Sequence, residues 1–238
     1  MPVMPIRALA VSDEVDVRIH SATLRERMPD VQVVFGCGDL PGTYLEFLVD
    51  ALNRPLYFVV GNHQEELLRL GVRGKHYQPA GCVNVGGRVV RDEATGLIIA
   101  GLPGSPRYNR GPEQYTEFEM MWMILRMTPR LIWNRIRHGR AVDVLITHAP
   151  PRDVNDCSDV AHRGFAAFRR FLKWFRPTYE LHGHVHRYDR SKPREARFAD
   201  TTVVNVYPSL VLDLDVPALE RAPAALPARA ERPEERRA

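Results

Sequence analysis

Five stretches dictate the kind of sheet this chain can form. Residues 6–11, 31–35, 56–60 and 142–146 are short runs dominated by apolar residues, and each leads into a polar turn: Ser12-Asp13, Gly38-Asp39, Gly61-Asn62-His63 and Thr147-His148. A fifth, Tyr179-Glu180-Leu181, leads into His182-Gly183-His184-Val185-His186. Runs of this length bounded by turn residues read as buried strands. Between the first three lie helical segments at residues 21–28 and 43–52, the latter with Leu45, Leu48, Val49 and Leu52 at helical steps. Strands alternating with helices predict an α/β architecture, and ligands of such sheets sit outside the carboxyl ends of the strands. The polar residues of this chain gather at those ends.

Their chemistry is specific. His182, His184 and His186 occupy alternate positions, which face the same way in extended chain. The collected candidates are Asp13, Asp39, Asn62, His63, His148, His184 and His186. Carboxylate, amide oxygen and imidazole without thiolate suit Mn, Fe or Zn and argue against a structural zinc site. A carboxylate can bridge two ions, and ions about 3.5–4 Å apart can clamp the attacking and leaving oxygens of a displacement at phosphorus. A histidine beside the ions but not bound to them can protonate the leaving group, and His63 directly follows Asn62. Singly, Asp13, Asp39 and Asn62 are ordinary cap or turn residues, and His148 a buried core histidine. As an ordered set they predict a metal site.

The rest of the chain is read in the same way. Cys82–Val85, Gly86-Gly87 and Arg88–Val90 predict a hairpin, and residues 97–101 another strand. Residues 113–138 have helical spacing of Tyr115, Phe118, Trp122 and Leu125, with Pro129 expected to break or kink the helix. Arg126, Arg130, Arg135, Arg137 and Arg140 follow without an intervening acid. One reading of this region is a lid or interface facing an anionic ligand, a membrane surface or another subunit. We take the other, a helical pair packed on the sheet with a solvated arginine face, because methionine and aromatic stripes usually belong to the core. Arg107, Tyr108 and Arg110 follow a strand end, and arginine suits phosphate; Arg107 is expected to contact substrate. Asp153, Asp156, Asp159 and His162 form a polar loop that either lines a pocket or caps the helix expected over residues 164–175.

Composition excludes little. The 238 residues are 45% hydrophobic and 26% charged, with a net charge of +4, ordinary for a globular chain. The mild basicity permits anionic partners, nucleic acid among them, without demanding one. Cys37, Cys82 and Cys157 are odd in number and far apart, which predicts a reducing, cytoplasmic setting. The apolar run near the N-terminus is too short for a signal peptide, and no run has the length of a membrane span. From Pro217 the chain is rich in Ala, Pro, Arg and Glu and is expected to be a disordered tail.

The ordered set Asp13, Gly38-Asp39, Gly61-Asn62-His63, His148 and Gly183-His184-Val185-His186 resembles the calcineurin-like metallophosphoesterase family. The likeness extends over residues 6 to about 207. It implies one domain over residues 1–216, a two-sheet α/β/β/α sandwich with residues 105–140 as a helical insertion. It also implies two divalent transition metals (Mn, Fe or Zn) and hydrolysis of a phosphomonoester or phosphodiester by metal-activated hydroxide. By that likeness Asp39 bridges the metals and takes part in catalysis. Asp13 and His186 hold the first metal, Asn62, His148 and His184 the second, and His63 is the general acid. Asn62 and His162 join Arg107 as expected substrate contacts, and His182, which the family pattern does not use, orients a ligand or is structural. Two positions depart from the pattern. The family's Asp-any-His reads Asp13-Glu14-Val15 here, so the first site is weakened or recruits Asp16 or His20. Gln64 stands where an aspartate commonly orients the histidine. These departures motivate an alternative, a catalytically impaired binding module on the same fold; the arginine run motivates a nuclease.

Overall fold

The computed structural model describes residues 5–63, 78–109, 111–186 and 193–216. Gln64, Arg110 and the tail from Pro217 onward lie outside the described residues.

The expected strand–helix alternation builds a five-stranded sheet. β1 (Ile6–Val11), β2 (Val33–Cys37), β3 (Leu56–Val59) and β4 (Cys82–Asn84) run parallel, separated by a single turn of helix, α1 (Leu24–Arg27), and by α2 (Gly42–Leu52). A second sheet follows from β5 (Arg88–Arg91), β6 (Ile98–Leu102), β9 (Val144–Thr147), β10 (Tyr179–His182), β11 (Glu195–Phe198) and β12 (Thr201–Asn205), in the order β11-β12-β10-β9-β6-β5. The chain ends its folded part in β13 (Ser209–Leu214), antiparallel to β1 at the edge of the first sheet. A small pair, β7 (Ser105–Pro106) with β8 (Gln114–Tyr115), precedes the long helix α3 (Glu117–His138); α4 (Ala166–Phe175) follows β9.

Strand periodicity sorts side chains into three apolar layers. Along β1, Ala8 and Ala10 face the second sheet while Leu9 and Val11 face α1 and α2. Along β9, Val144 and Ile146 face the first sheet while Leu145 faces α3 and α4. The result is the expected α/β/β/α sandwich, in which nearly continuous apolar strands are buried on both faces.

Three local expectations are corrected. Residues 82–90 are not a hairpin. The turn forms, with Gly87 at φ 66° and Arg88 N–H bonding the Val85 carbonyl at 2.9 Å. It hands the chain from β4, paired with β3, to β5, paired with β6, so its two arms lie in different sheets. Val85, fully buried between the sheets, fixes that crossing. Second, the region around Pro129 is one helix and not a helical pair: α3 runs through it without a break. Pro129 stands on the exposed side, where water can serve the carbonyl its missing N–H leaves free. Third, Phe118, Trp122 and Leu125 are exposed, and the stripe that meets the core is Met120, Ile124, Met127 and Leu131.

Candidate metal centre

The strand ends β1, β2, β9 and β10 converge on one cleft where the edges of the two sheets meet. Asp13 and Asp39 leave their strands in left-handed conformations, φ 64° and 53°, and so does His184 at 63°. Such a bend turns the side chain back over the sheet edge, a strain found in functional loops. Two glycines make the approach possible: a Cβ on Gly61 would collide with the Asp39 carboxylate, and one on Gly183 with Ser12 and Asp13. The cavity above them, about 320 Å³, is lined by Asp13, Asp39, His63, Tyr108, Ala161, His162, His184 and His186.

His148 is fully buried behind this lining. Its Nδ1–H donates to the Cys37 carbonyl at 2.9 Å, so Nε2 is the atom that carries either a second proton or, in the neutral ring, the lone pair a metal would take. Nε2 faces two acceptors, Asp39 Oδ2 at 3.1 Å and Asn62 Oδ1 at 3.0 Å. Two oxygens and a ring nitrogen meeting at a buried point require a cation or a proton between them. One ligand atom each from Asp13, Asp39 and His148 also lies within 4.8 Å of the others. Hard carboxylate and borderline imidazole donors fit a divalent transition metal, as the family resemblance implies. Burial is the largest influence on His148 and lowers its pKa, but the charge and hydrogen bond of Asp39, with Asp13 and the Cys37 carbonyl, together outweigh it and raise the pKa to about 9, so without a metal a proton on Nε2 fills this point. Asp39 is pushed the other way: burial raises its pKa, and His148 and His63 together hold it well below the carboxylate range.

The other predicted ligands sit around this point. Asp13 accepts the His184 backbone N–H at 2.9 Å and faces His186, whose Nε2 is 3.7 Å from Asp13 Oδ1. The Asp13 carboxylate beside it raises the His186 pKa. The His186 ring stacks on Tyr207, centroids 4.5 Å apart. His184 lies 4.8 Å from His148, ring to ring, and its Nε2–H donates to the Ala161 carbonyl at 2.7 Å, leaving Nδ1 as its free lone pair. Burial, then the His148 charge, lowers the His184 pKa to about 3, so the ring stays neutral. His63 lies at the mouth of the cleft. Its backbone N–H donates to Asp39 Oδ1 and its ring Nδ1–H to Oδ2, both at 2.8 Å.

His162 enters the lining, held by Asp159 at 2.8 Å. Arg107 does not: Glu119 and the Gln114 carbonyl take its guanidinium, and it is Tyr108, next in sequence, that faces the cavity and accepts from Asn62 at 3.2 Å. Tyr207 is a neighbour that no local motif announced. Val15, half-buried, packs against the core cluster that α2 helps form. Neither residue expected to replace it reaches the cleft. Asp16 is clasped by Arg18 and Ser209, and His20 packs against Tyr44 and Phe47. His182 is fully buried, its Nδ1–H donating to the Gly183 carbonyl at 2.9 Å.

Two stacked sheets whose strand ends pool carboxylates, an amide and imidazoles have the architecture of metal-dependent phosphoesterases. The family model for calcineurin-like phosphoesterases matches residues 18–188, and the chain belongs to that family, whose members in general bind divalent metals and hydrolyse phosphoesters. The match begins after Asp13. Among solved structures the chain is similar to TT1561 of Thermus thermophilus, with 15% identity, 88% of this chain and 95% of that one covered, and a TM-score of 0.60. At that identity the likeness is one of fold. A further likeness is to Vps29 from Entamoeba histolytica complexed with Zn2+, at 14% identity over 84% of this chain and 73% of that one, TM-score 0.37. No curated protein matches the chain.

Proposed function

We propose that this protein hydrolyses a phosphoester at a metal centre held by Asp13, Asp39, Asn62, His148, His184 and His186. The observation that carries the reading is the buried convergence of His148 Nε2 with oxygens of Asp39 and Asn62. Asp39 would be shared by two divalent ions, Mn, Fe or Zn, with Asp13 and His186 on one side and Asn62, His148 and His184 on the other. Such ions, when bound, offset charge developing on phosphate oxygens and lower the pKa of a water to about 7. The chain supplies orientation. Cys37 fixes the His148 tautomer, Asp39 fixes the His63 ring, and Gly61 and Gly183 admit the carboxylates. With Nδ1–H held by Asp39, a protonated His63 would carry its second proton on Nε2, for delivery to a leaving oxygen. Tyr108 and His162 line the cleft on the substrate side. We read the three widely spaced cysteines, odd in number, as those of a cytoplasmic chain.

The test is metal content of the purified protein, with hydrolysis of a bis-aryl phosphodiester and an aryl phosphomonoester followed alongside. Asp39→Asn and His148→Ala are each expected to cut turnover by at least about a hundredfold, as loss of a metal ligand or its support does. Full activity in both variants ends this reading.

A second reading rests on Val15. With that side chain packed against the core and Asp16 held by Arg18, the first ion would have two protein ligands besides the bridge. A chain that binds one ion and a phosphorylated ligand without turnover would fit it. Turnover abolished by chelator and restored by Mn excludes it. The arginine run lends no support to a nuclease, because four of its five members lie on α3, Arg140 pairs with Asp143, and none lines the cleft.

A further inference from the structure

Helix α3 has two apolar sides. Met120, Ile124, Met127 and Leu131 are buried against the second sheet and α4. Opposite them, Phe118 (79% exposed), Trp122 (58%), Leu125, Ile132, Trp133 (56%) and Ile136 (76%) face outward. Wound at 3.6 residues per turn, these six fall within roughly 60° of one line along the helix. Side chains of this size do not line up on the solvent side by core packing, and a contiguous exposed apolar patch marks an interaction surface.

The charges around the stripe select its partner. From Met120 to Val142 there are five arginines and no acid. Arg126, Arg130 and Arg137 are exposed and make no ion pair among the described residues. The two acids of the helix are already engaged: Glu119 with Arg107 and the Thr116 N–H, Glu117 with Arg152 and the first N–H groups of α4. A second copy docking on this face would therefore bring arginines to arginines with no free helix carboxylate to meet them. The His138 ring, held below its ordinary pKa by partial burial and by Arg91, Arg137, Arg140 and Arg130, registers the same positive field. The surface continues onto α4 through exposed Lys173 and Trp174; Arg135 donates to the Trp174 carbonyl at 3.1 Å. Aromatic and branched apolar residues on one stripe, flanked by arginines that meet no acid among the described residues, have the chemistry of a helix lying in a bilayer interface. No described helix is long and apolar enough to cross a membrane.

We propose that α3 docks lengthwise on an anionic phospholipid surface, its Trp122–Ile136 stripe entering the headgroup region and Arg126, Arg130 and Arg137 pairing with lipid phosphates.

The chain's three tryptophans, Trp122, Trp133 and Trp174, are all exposed on this side, so intrinsic fluorescence reports on it directly. The full chain is mixed with vesicles of phosphatidylcholine alone or of phosphatidylcholine with phosphatidylglycerol. Co-sedimentation and a blue shift of tryptophan emission are expected with the anionic vesicles, weakening as salt is raised. Arg126→Gln, Arg130→Gln and Arg137→Gln combined should weaken uptake roughly a hundredfold. Trp122→Glu with Ile136→Glu should abolish it, while both variants keep the wild-type circular dichroism spectrum. Failure to sediment with anionic vesicles overturns the proposal. So does equal uptake by both vesicle types that the arginine variant leaves unchanged. A concentration-dependent dimer, lost in the Trp122→Glu, Ile136→Glu variant and unaccompanied by vesicle uptake, would instead assign the stripe to a second copy.

Discussion

His148 stands between two networks, and the one behind it is as telling as the metal centre in front. The hydroxyl of Thr147 bonds both the Ala149 carbonyl, at 2.7 Å, and the Glu180 carboxyl, at 2.5 Å. One hydroxyl proton cannot serve two acceptors, so a protonated Glu180 supplies the second. Burial pushes the Glu180 pKa from its ordinary 4.5 up to about 8, against the opposing pull of the Thr147 bond. The consequence for stability has a definite sign. The folded state keeps a proton that the unfolded chain releases above its own, lower pKa. The stabilising term is therefore complete below pH 4.5 and drains away as pH rises toward about 8. Across that window the loss is on the order of a few kcal/mol. Glu180→Gln keeps a donor for Thr147 and has no proton to lose. It should melt close to wild type at pH 5 and several degrees above it at pH 8, by thermal unfolding followed by circular dichroism. Parallel melting temperatures for the two proteins across this range would refute a neutral buried Glu180.

At the scale of elements, α4 depends on α3 for its start. Its N-cap, Phe165, offers no side-chain acceptor. The Glu117 carboxylate of α3 takes that place, accepting the Ala166 N–H at 2.8 Å and the Ala167 N–H at 2.9 Å, while α3 itself is closed by the capping box of Thr116 and Glu119. A negative group there also meets the positive end of the helix dipole. Glu117→Ala should cost about 1–2 kcal/mol, the range of a lost cap, measured by chemical denaturation, with Glu117→Gln recovering part of it. A Glu117→Ala variant as stable as wild type would show that water caps α4 equally well. The Thr116 box could be read locally, since its partners lie three residues apart. The Glu117 cap bridges distant parts of the sequence, from Glu117 to Ala166, and leaves no trace in spacing. The same division explains other elements. Strand ends were legible because Asp13, Asp39 and His148 each stop an apolar run. The arms of the 82–90 turn were not assigned correctly because a turn sequence does not say which strand each arm will pair with. The outward stripe of α3 was mistaken for core because Phe118, Trp122 and Leu125 have the same period as the buried Met120, Ile124 and Met127.

In the molecule as a whole, the cleft joins the two sheets. Asp13 and Asp39 come from the ends of β1 and β2 in the first sheet, His148 and the His184–His186 pair from the ends of β9 and β10 in the second. Which residue types would meet was readable from order and spacing; that Val15 would pack against the core, and that Tyr108 rather than Arg107 would face the cavity, depended on packing between distant segments. The donor set exists only when both sheets are stacked, so a divalent ion held there binds the folded chain and not the unfolded one. At a free concentration a hundred times its dissociation constant such an ion adds about 2.7 kcal/mol, and for a domain of this size each kcal/mol moves the melting temperature by about 2–4 °C. Chelation of the metal-loaded protein should therefore lower the melting temperature by roughly 5–10 °C, and added Mn should restore it. The His148→Ala variant should melt lower and respond little to chelator, because its loss leaves Asp39 and Asn62 without the donor that completes their site. If elemental analysis shows the ion present and removed, yet the melting temperature does not move, the ion lies outside this cleft and does not tie the sheets together.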